Sequence, residues 1–212
     1  IQLHSIKINM FNGIIFNKGI IKKIIKRPKG INIFISSNLR LTKKDIGVSI
    51  SCDGVCLTLI NIKTNLMEFY LSQETIKRSK FKFFKIKDKI NLELPIKYGQ
   101  KISGHICQGH VDTVGKILAI KKIDQSYLFN FKKINKERKN LIEKASISVN
   151  GISLTISKKT KTGFEIYSAL QSHFLTPEPV HCRERKRFSG LIKLPKTEIV
   201  RIGALSVKFP EA

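Results

Sequence analysis

A chain of 212 residues with 42% hydrophobic residues can bury two modest cores, and lysines interrupt every isoleucine-rich stretch, so no apolar run approaches the roughly 18 residues needed to cross a bilayer. The formal net charge of +25 would suit a nucleic-acid partner, but Lys far outnumbers Arg and is spread along the chain beside abundant Ile and Asn, the trio that AT-rich coding enriches. With no helix-turn-helix, aromatic RNA-binding or zinc-finger pattern, neither nucleic acid nor membrane is an expected partner.

Residues 13–25 and 31–35 read as strands, followed by a hairpin over residues 48–60. There Ser49 and Ser51 alternate with Val48 and Ile50, the period of a half-buried strand. Asp53-Gly54 then supplies a two-residue hairpin turn. Residues 66–71 and 89–94 complete about six short strands before residue 96. Glycines loosen the chain over 97–110, which sets a boundary between a first domain, 10–97, and a second, 98–212. The second half offers strands at 111–123 and 126–131, a charged segment at 135–144 read as a short helix, a hairpin at 145–157 and a strand at 163–167.

The two hairpins are copies of one motif. VSISCDGVCLTLI from residue 48 and ASISVNGISLTIS from residue 145 share Ser, Ser, Gly, Leu and Thr at a constant offset of 97 (155 − 58). A period this long exceeds a solenoid repeat and matches a whole small domain. Short, regularly spaced strands in each half then predict an all-β chain of two antiparallel barrels, whose closure removes sheet edges. Cys56 and Thr58 share one strand face, as do Ser153 and Thr155. That face is either solvated or turned into a cavity, and its recurrence in both copies favours the inward orientation.

Between the halves lies SGHICQGHVDTVG, with Gly-His pairs at His105 and His110. Histidine trades protons readily near neutral pH, although a lone His in a glycine-rich stretch is commonly a structural hydrogen-bonding group. The four cysteines, Cys52, Cys56, Cys107 and Cys182, lack CxxC spacing, so the sequence supports neither a zinc site nor a disulfide framework. Reduced thiols in a cytoplasmic protein follow. The first residues contain Lys7 but no continuous apolar region or small-residue cleavage site, and Met10 reads as the natural start.

In MFNGII from residue 10, SCDGVCLT from 51, SQET from 72, SGHICQGHVDTVG from 103 and NGISLTI from 150, the chain resembles the riboflavin synthases. The strings keep that family's order and spacing over about residues 10–172. The resemblance implies a tandem of six-stranded antiparallel β-barrels with short helices, a homotrimer, and dismutation of two 6,7-dimethyl-8-ribityllumazine molecules to riboflavin and 5-amino-6-(ribitylamino)pyrimidinedione, with no metal and no redox cofactor. Two copies of one substrate held face to face would explain why the chain is duplicated.

Carried over by position, the resemblance implies a first pocket of Phe11, Gly13, Ile14, Ile15, Cys56, Leu57, Thr58, Tyr70, Leu71, Ser72, Gln73, Glu74, Thr75, Gly109, His110 and Val111. Lys144, Ser153, Leu154 and Thr155 form the second set, with Ser172 where the family usually has Thr. His110, Cys56 and Ser49 are unranked candidates for moving the 7-methyl proton or assisting attack at C7. The alternative is a non-catalytic lumazine or flavin carrier of the same fold, against which both barrels keep their Leu-Thr motif and Cys56 and His110 are both present. Residues after about 172 are atypical: no Asn occurs beyond Asn150, while four of six prolines lie past residue 172. Residues 200–210 echo 84–95, which leaves room for a closing strand. Over 183–212, Gly190, Pro195, Gly203 and Pro210 would break the C-terminal helix that the resemblance implies for trimer formation, so weak association or a monomer is expected.

Overall fold

The computed structural model describes residues 10–133, 141–168, 191–192 and 199–204. The first copy contributes β1 (Asn17–Arg27), β2 (Gly30–Ser37), β3 (Ser49–Cys52), β4 (Val55–Lys63), β5 (Leu66–Ser72) and β6 (Lys89–Glu93). They form a closed antiparallel barrel in the order β1-β2-β5-β4-β3-β6, sealed where Asn17 pairs with Leu92. Alternation places Ile33, Ile35, Ile50, Leu57, Leu59, Phe69, Ile90 and Leu92 in its core.

The second copy contributes β7 (Thr113–Ile123), β8 (Ser126–Lys133), β9 (Ser146–Val149), β10 (Ile152–Thr155), β11 (Lys158–Lys159), β12 (Gly163–Ser168), β13 (Leu191–Ile192) and β14 (Ile199–Ala204). Its sheet runs β10-β9-β14-β7-β8-β12-β11, with β13 beside β7. Because β10 and β11 are consecutive in the chain, this is the ring order of the first barrel with its fourth strand in two pieces. The break at residues 156–157 falls where β4 carries its own register shift between Leu59 and Asn61. The bulge of β1 between Ile21 and Lys23 likewise recurs in β7 between Ile117 and Ala119. Phe129, Phe131, Ile147, Val149, Ile152, Phe164 and Ile166 fill this second core.

A closing strand is present, but earlier than the sequence echo indicated. β14 pairs Ile202 with Val149 and Thr113, as β6 pairs Leu92 with Cys52 and Asn17. The equivalence is therefore 110 residues (202 − 92), against 115 for the aligned prolines (210 − 95). Two predicted strands also begin later than expected. β1 starts at Asn17 and β7 at Thr113, because the residues before each leave their own barrel and cross to the other.

Ser72 caps a six-residue helix, α1 (Gln73–Arg78), by accepting the Thr75 N–H, with Glu74 in the first turn and paired to Arg78. Short 3-10 turns occupy Lys43–Asp45 and Lys80–Phe83. The helix expected over 135–144 is not formed in its described part: residues 142–145 make a turn closed by the Ala145 N–H on the Ile142 carbonyl, and residues 134–140 lie outside the described residues. No helix among the described residues is long and apolar enough to cross a membrane.

Candidate functional site

The repeated hairpins meet tip to tip. Gly54 and Gly151 approach so closely that a Cβ on either would stand 2.7–2.8 Å from the other's backbone nitrogen. Asp53 on one tip accepts the Asn91 N–H at 2.7 Å and pairs with Lys80 at 2.7 Å, and the Asn91 side chain donates to the Asn150 carbonyl on the other tip at 3.0 Å. The hairpins thus face each other across a pseudo-two-fold axis.

Two short straps cross that axis. In residues 10–15, Phe11 exchanges both main-chain bonds with Cys107 of the strap 106–111, at 2.8 and 2.7 Å. Beyond this crossing each strap docks on the opposite barrel. The Gly13 carbonyl accepts the Ser153 N–H at 2.8 Å, and Ile15 enters the second core. The Gly109 carbonyl accepts the Cys56 N–H at 2.9 Å, and Val111 packs on the first core. Gly13 and Gly109 have φ of +71° and +77°, and a Cβ on either would lie 2.6 Å from the Cβ of the residue it covers. Only glycine fits both demands.

The register fixes which side chains these straps overlie. Ser49 pairs with Thr58 and Ser51 with Cys56 on one face of β3 and β4; Ser146 with Thr155 and Ser148 with Ser153 form the matching face of β9 and β10. These are the outer faces of the barrels. Thr58 and Thr155 are exposed, and Cys56 and Ser153 half-buried, while Leu57 is 4% exposed. The inward orientation expected for the threonines is therefore wrong: the neighbouring Val55, Leu57 and Leu59 occupy the core, and alternation turns the hydroxyls outward.

Ser49 is buried on this face and Tyr70 is exposed, its hydroxyl donating to the Lys29 carbonyl. Ser72 and Thr75 bond each other at 3.1 Å, while Gln73 and Glu74 are exposed on α1. Leu57, Leu71 and Ile15 turn into the cores, so only their main-chain atoms can serve the outer face. Leu154 packs partly on the second core. Lys144 is exposed in a turn with φ of +64°, its N–H donating to the Ile156 carbonyl. Ile14 and His110 hold equivalent strap positions, 96 residues apart (110 − 14), so the imidazole over the first barrel is replaced by an apolar side chain over the second. Ser172 lies outside the described residues.

Three further residues join this arrangement. The Nδ1 of His105 is in a short contact with Ser153 Oγ, so the second face also acquires an imidazole, from a different position. Tyr167 is exposed, as Tyr70 is, 97 residues earlier (167 − 70). Glu93, buried where the barrels meet, accepts main-chain N–H groups from Asn12 and Gly13. Burial pushes its carboxyl up to about 7, outweighing the bonds from Asn12, Gly13 and Ile14 that favour the charged form. Burial also pushes the Cys107 thiol up to about 12, so it is inert near neutrality. Cys56 and Cys107 are free thiols.

Two cavities lie nearby. One of about 30 Å³, small beside any organic ligand, sits on the axis between Phe11, Asp53, Glu93, Cys107, His110 and Asn150. The other, about 590 Å³, is an open groove beside Asn12, Ile14, Phe16, Glu93 and Tyr98. Neither encloses the outer faces bearing Thr58 and Thr155, which need a covering surface to bury a ligand.

The Lumazine binding domain family matches residues 12–95 and 108–173, one copy per barrel. The riboflavin synthase of Photobacterium leiognathi is 35% identical over 149 residues, covering 70% of this chain and 68% of that protein. That of Buchnera aphidicola subsp. Baizongia pistaciae is 31% identical over 173 residues, covering 81% and 78%. Among solved structures, LumP complexed with 6,7-dimethyl-8-(1'-D-ribityl) lumazine superposes with a TM-score of 0.72 at 21% identity, covering 92% of this chain and 99% of that one, a likeness of fold alone. On the matched repeats and these relatives, the chain belongs to the lumazine-binding domain family.

Proposed function

We propose that this chain is a riboflavin synthase, transferring a four-carbon unit between two molecules of 6,7-dimethyl-8-ribityllumazine. The observation that carries this reading is the pair of strap-covered outer faces, alike in backbone and in their Ser and Thr hydroxyls but unlike at Cys56 against Ser153 and in where the imidazole comes from. The first offers Cys56, Ser49, Thr58 and the His110 strap; the second offers Ser153, Thr155 and His105. A dismutation needs that combination, because both molecules bind through the same ring edge and ribityl chain while one gives and the other receives carbon. The hydroxyls and strap amides orient the two rings, and positioning supplies much of the rate. An imidazole beside each ring can take or return the 7-methyl proton.

The open outer faces also fit a reaction between barrels of different subunits, in which a neighbour's barrel provides the cover. A non-catalytic carrier is the second reading, favoured by the superposition on LumP. Incubating the chain with the lumazine and following riboflavin absorbance decides between them. Riboflavin formation, with specific activity that rises with protein concentration, is expected. Bound lumazine fluorescence without riboflavin at any concentration would mark the carrier.

A further inference from the structure

Residues 12 and 13 have every main-chain polar group committed, and to opposite sides. Their N–H groups point to the first barrel, where Glu93 on β6 accepts Asn12 at 2.7 Å and Gly13 at 3.1 Å through each carboxylate oxygen. Their carbonyls point to the second barrel, where Asn12 accepts the His105 N–H at 3.0 Å and Gly13 accepts the Ser153 N–H at 2.8 Å. Successive N–H groups converging on one carboxylate make an anion-binding concavity. Leaving such donors unpaired in a buried place is costly.

The other strap has the same plan without this anchor. Its Gly109 carbonyl accepts from Cys56, but the pairings Ser51–Glu93 and Ser148–Gly203 place a glycine where the equivalent carboxylate would stand. Among the described residues the anchoring is one-sided, and it serves the second barrel from the first.

We propose that Glu93 is a positioning residue for the second-barrel site, holding the strap whose carbonyls fix Ser153 and His105. That this site takes a lumazine rests on the reading above; the hold on the strap does not. The geometry assigns Glu93 no such role toward Cys56, whose N–H is held by the other strap.

The test compares the full chain with Glu93→Gln, which turns an amide NH2 toward the strap donors, and Glu93→Asp, which keeps the charge but shortens its reach. Amide exchange is read at His105, Ser153 and Cys56. In Glu93→Gln, read at a pH above the raised value of about 7 where the parent carboxyl is charged, the His105 and Ser153 amides should exchange about tenfold faster or more, the scale of one lost charge-assisted bond, while Cys56 stays unchanged. Glu93→Asp should fall between, and decides the matter if the Gln variant does not fold. Fluorescence titration with 6,7-dimethyl-8-ribityllumazine should show one of two sites weakened and the other intact. Equal acceleration at Cys56 and Ser153, or none at either, would overturn the proposal. Absence of lumazine binding in the parent chain would overturn the ligand reading alone, because amide exchange needs no ligand.

Discussion

The two barrels keep the same backbone constraints and the same hydroxyls at Ser49 and Ser146, Ser51 and Ser148, and Thr58 and Thr155. They differ at a few chemically capable positions, above all Cys56 against Ser153 and His110 against Ile14. Both repeat the ring order, the bulge of the first strand, the hairpin tip and the glycine strap that covers the hairpin. Their cores are filled differently. Ile33, Ile35 and Met67 in the first occupy the ring positions of Phe129, Phe131 and Phe164 in the second, where Phe131 and Phe164 stack at 4.9 Å. Over the hairpins, Cys56 beneath the His110 strap contrasts with Ser153 touched by His105 beneath the Ile14 strap. The duplication has held the backbone and the hydroxyls that both faces share and released a few reactive positions, as expected if two near-identical molecules bind but play unlike parts.

The straps give the largest test of this equivalence. Gly109→Ala imposes a left-handed backbone on a residue with a Cβ and drives that atom to 2.6 Å from the Cys56 Cβ and 3.0 Å from the Phe11 ring. The strain of about 1–2 kcal/mol and overpacking of a similar or larger size should together cost about 2–4 kcal/mol of stability. Gly13→Ala meets Ser153 in the same way and should cost as much. Urea denaturation measures both. A cost near zero at either position would mean that its strap is undocked in solution, and the symmetry would fail there.

The sequence reveals these shared constraints better than the site. Alternation in the repeats locates the hairpins and groups Cys56 with Thr58, but period two says which residues share a face and not which way it points. The decision comes from Val55, Leu57 and Leu59, whose burial outweighs any preference of the hydroxyls. Extending the repeat beyond the hairpins would have found Tyr70 and Tyr167, since Glu68-Phe69-Tyr70 recurs as Glu165-Ile166-Tyr167. The Ser72 cap and the Glu74–Arg78 spacing likewise encode α1. Glu93 was beyond reach, and His105, though marked by its Gly-His pair, could not be placed over the second barrel, because both roles depend on the straps changing barrels, a tertiary event without local signature.

A second test uses pH to separate the barrels. Glu93 has no counterpart carboxylate in the second, where Gly203 stands. With its carboxyl raised from 4.5 to about 7 by burial, the folded chain holds this proton over a range in which the unfolded chain has released it. Stability therefore falls as pH rises between these values and levels off above them. Cys107, His110 and Asp53 border the same small cavity and Lys97 and Tyr98 the groove, so the useful quantity is the difference between parent and Glu93→Gln. The parent should lose stability relative to the variant as pH rises from about 4.5 to 7. A difference independent of pH would show that Glu93 ionises like an ordinary surface carboxylate.

The smallest expected effect isolates backbone conformation from everything else. Gly47 and Lys144 hold equivalent turn positions, 97 residues apart (144 − 47). Each donates its N–H to the carbonyl of the residue at the bulge, Gly47 to Leu59 and Lys144 to Ile156, both at 2.8 Å. Both lie in the left-handed region, with φ of +91° and +64°. One copy therefore uses the residue suited to that conformation and the other bears its strain. A Cβ on Gly47 would meet nothing within 4 Å, so Gly47→Ala reads the conformational cost without a packing term. It should destabilise by about 1 kcal/mol. Lys144→Gly should stabilise by about 0.5–1 kcal/mol, the relief of strain less the added freedom of glycine in the unfolded chain. Chemical denaturation of both variants checks the pair. Opposite signs would mean that the turns are equivalent by backbone alone. A loss of stability in Lys144→Gly would mean instead that the lysine side chain contributes a contact worth more than the strain its backbone bears.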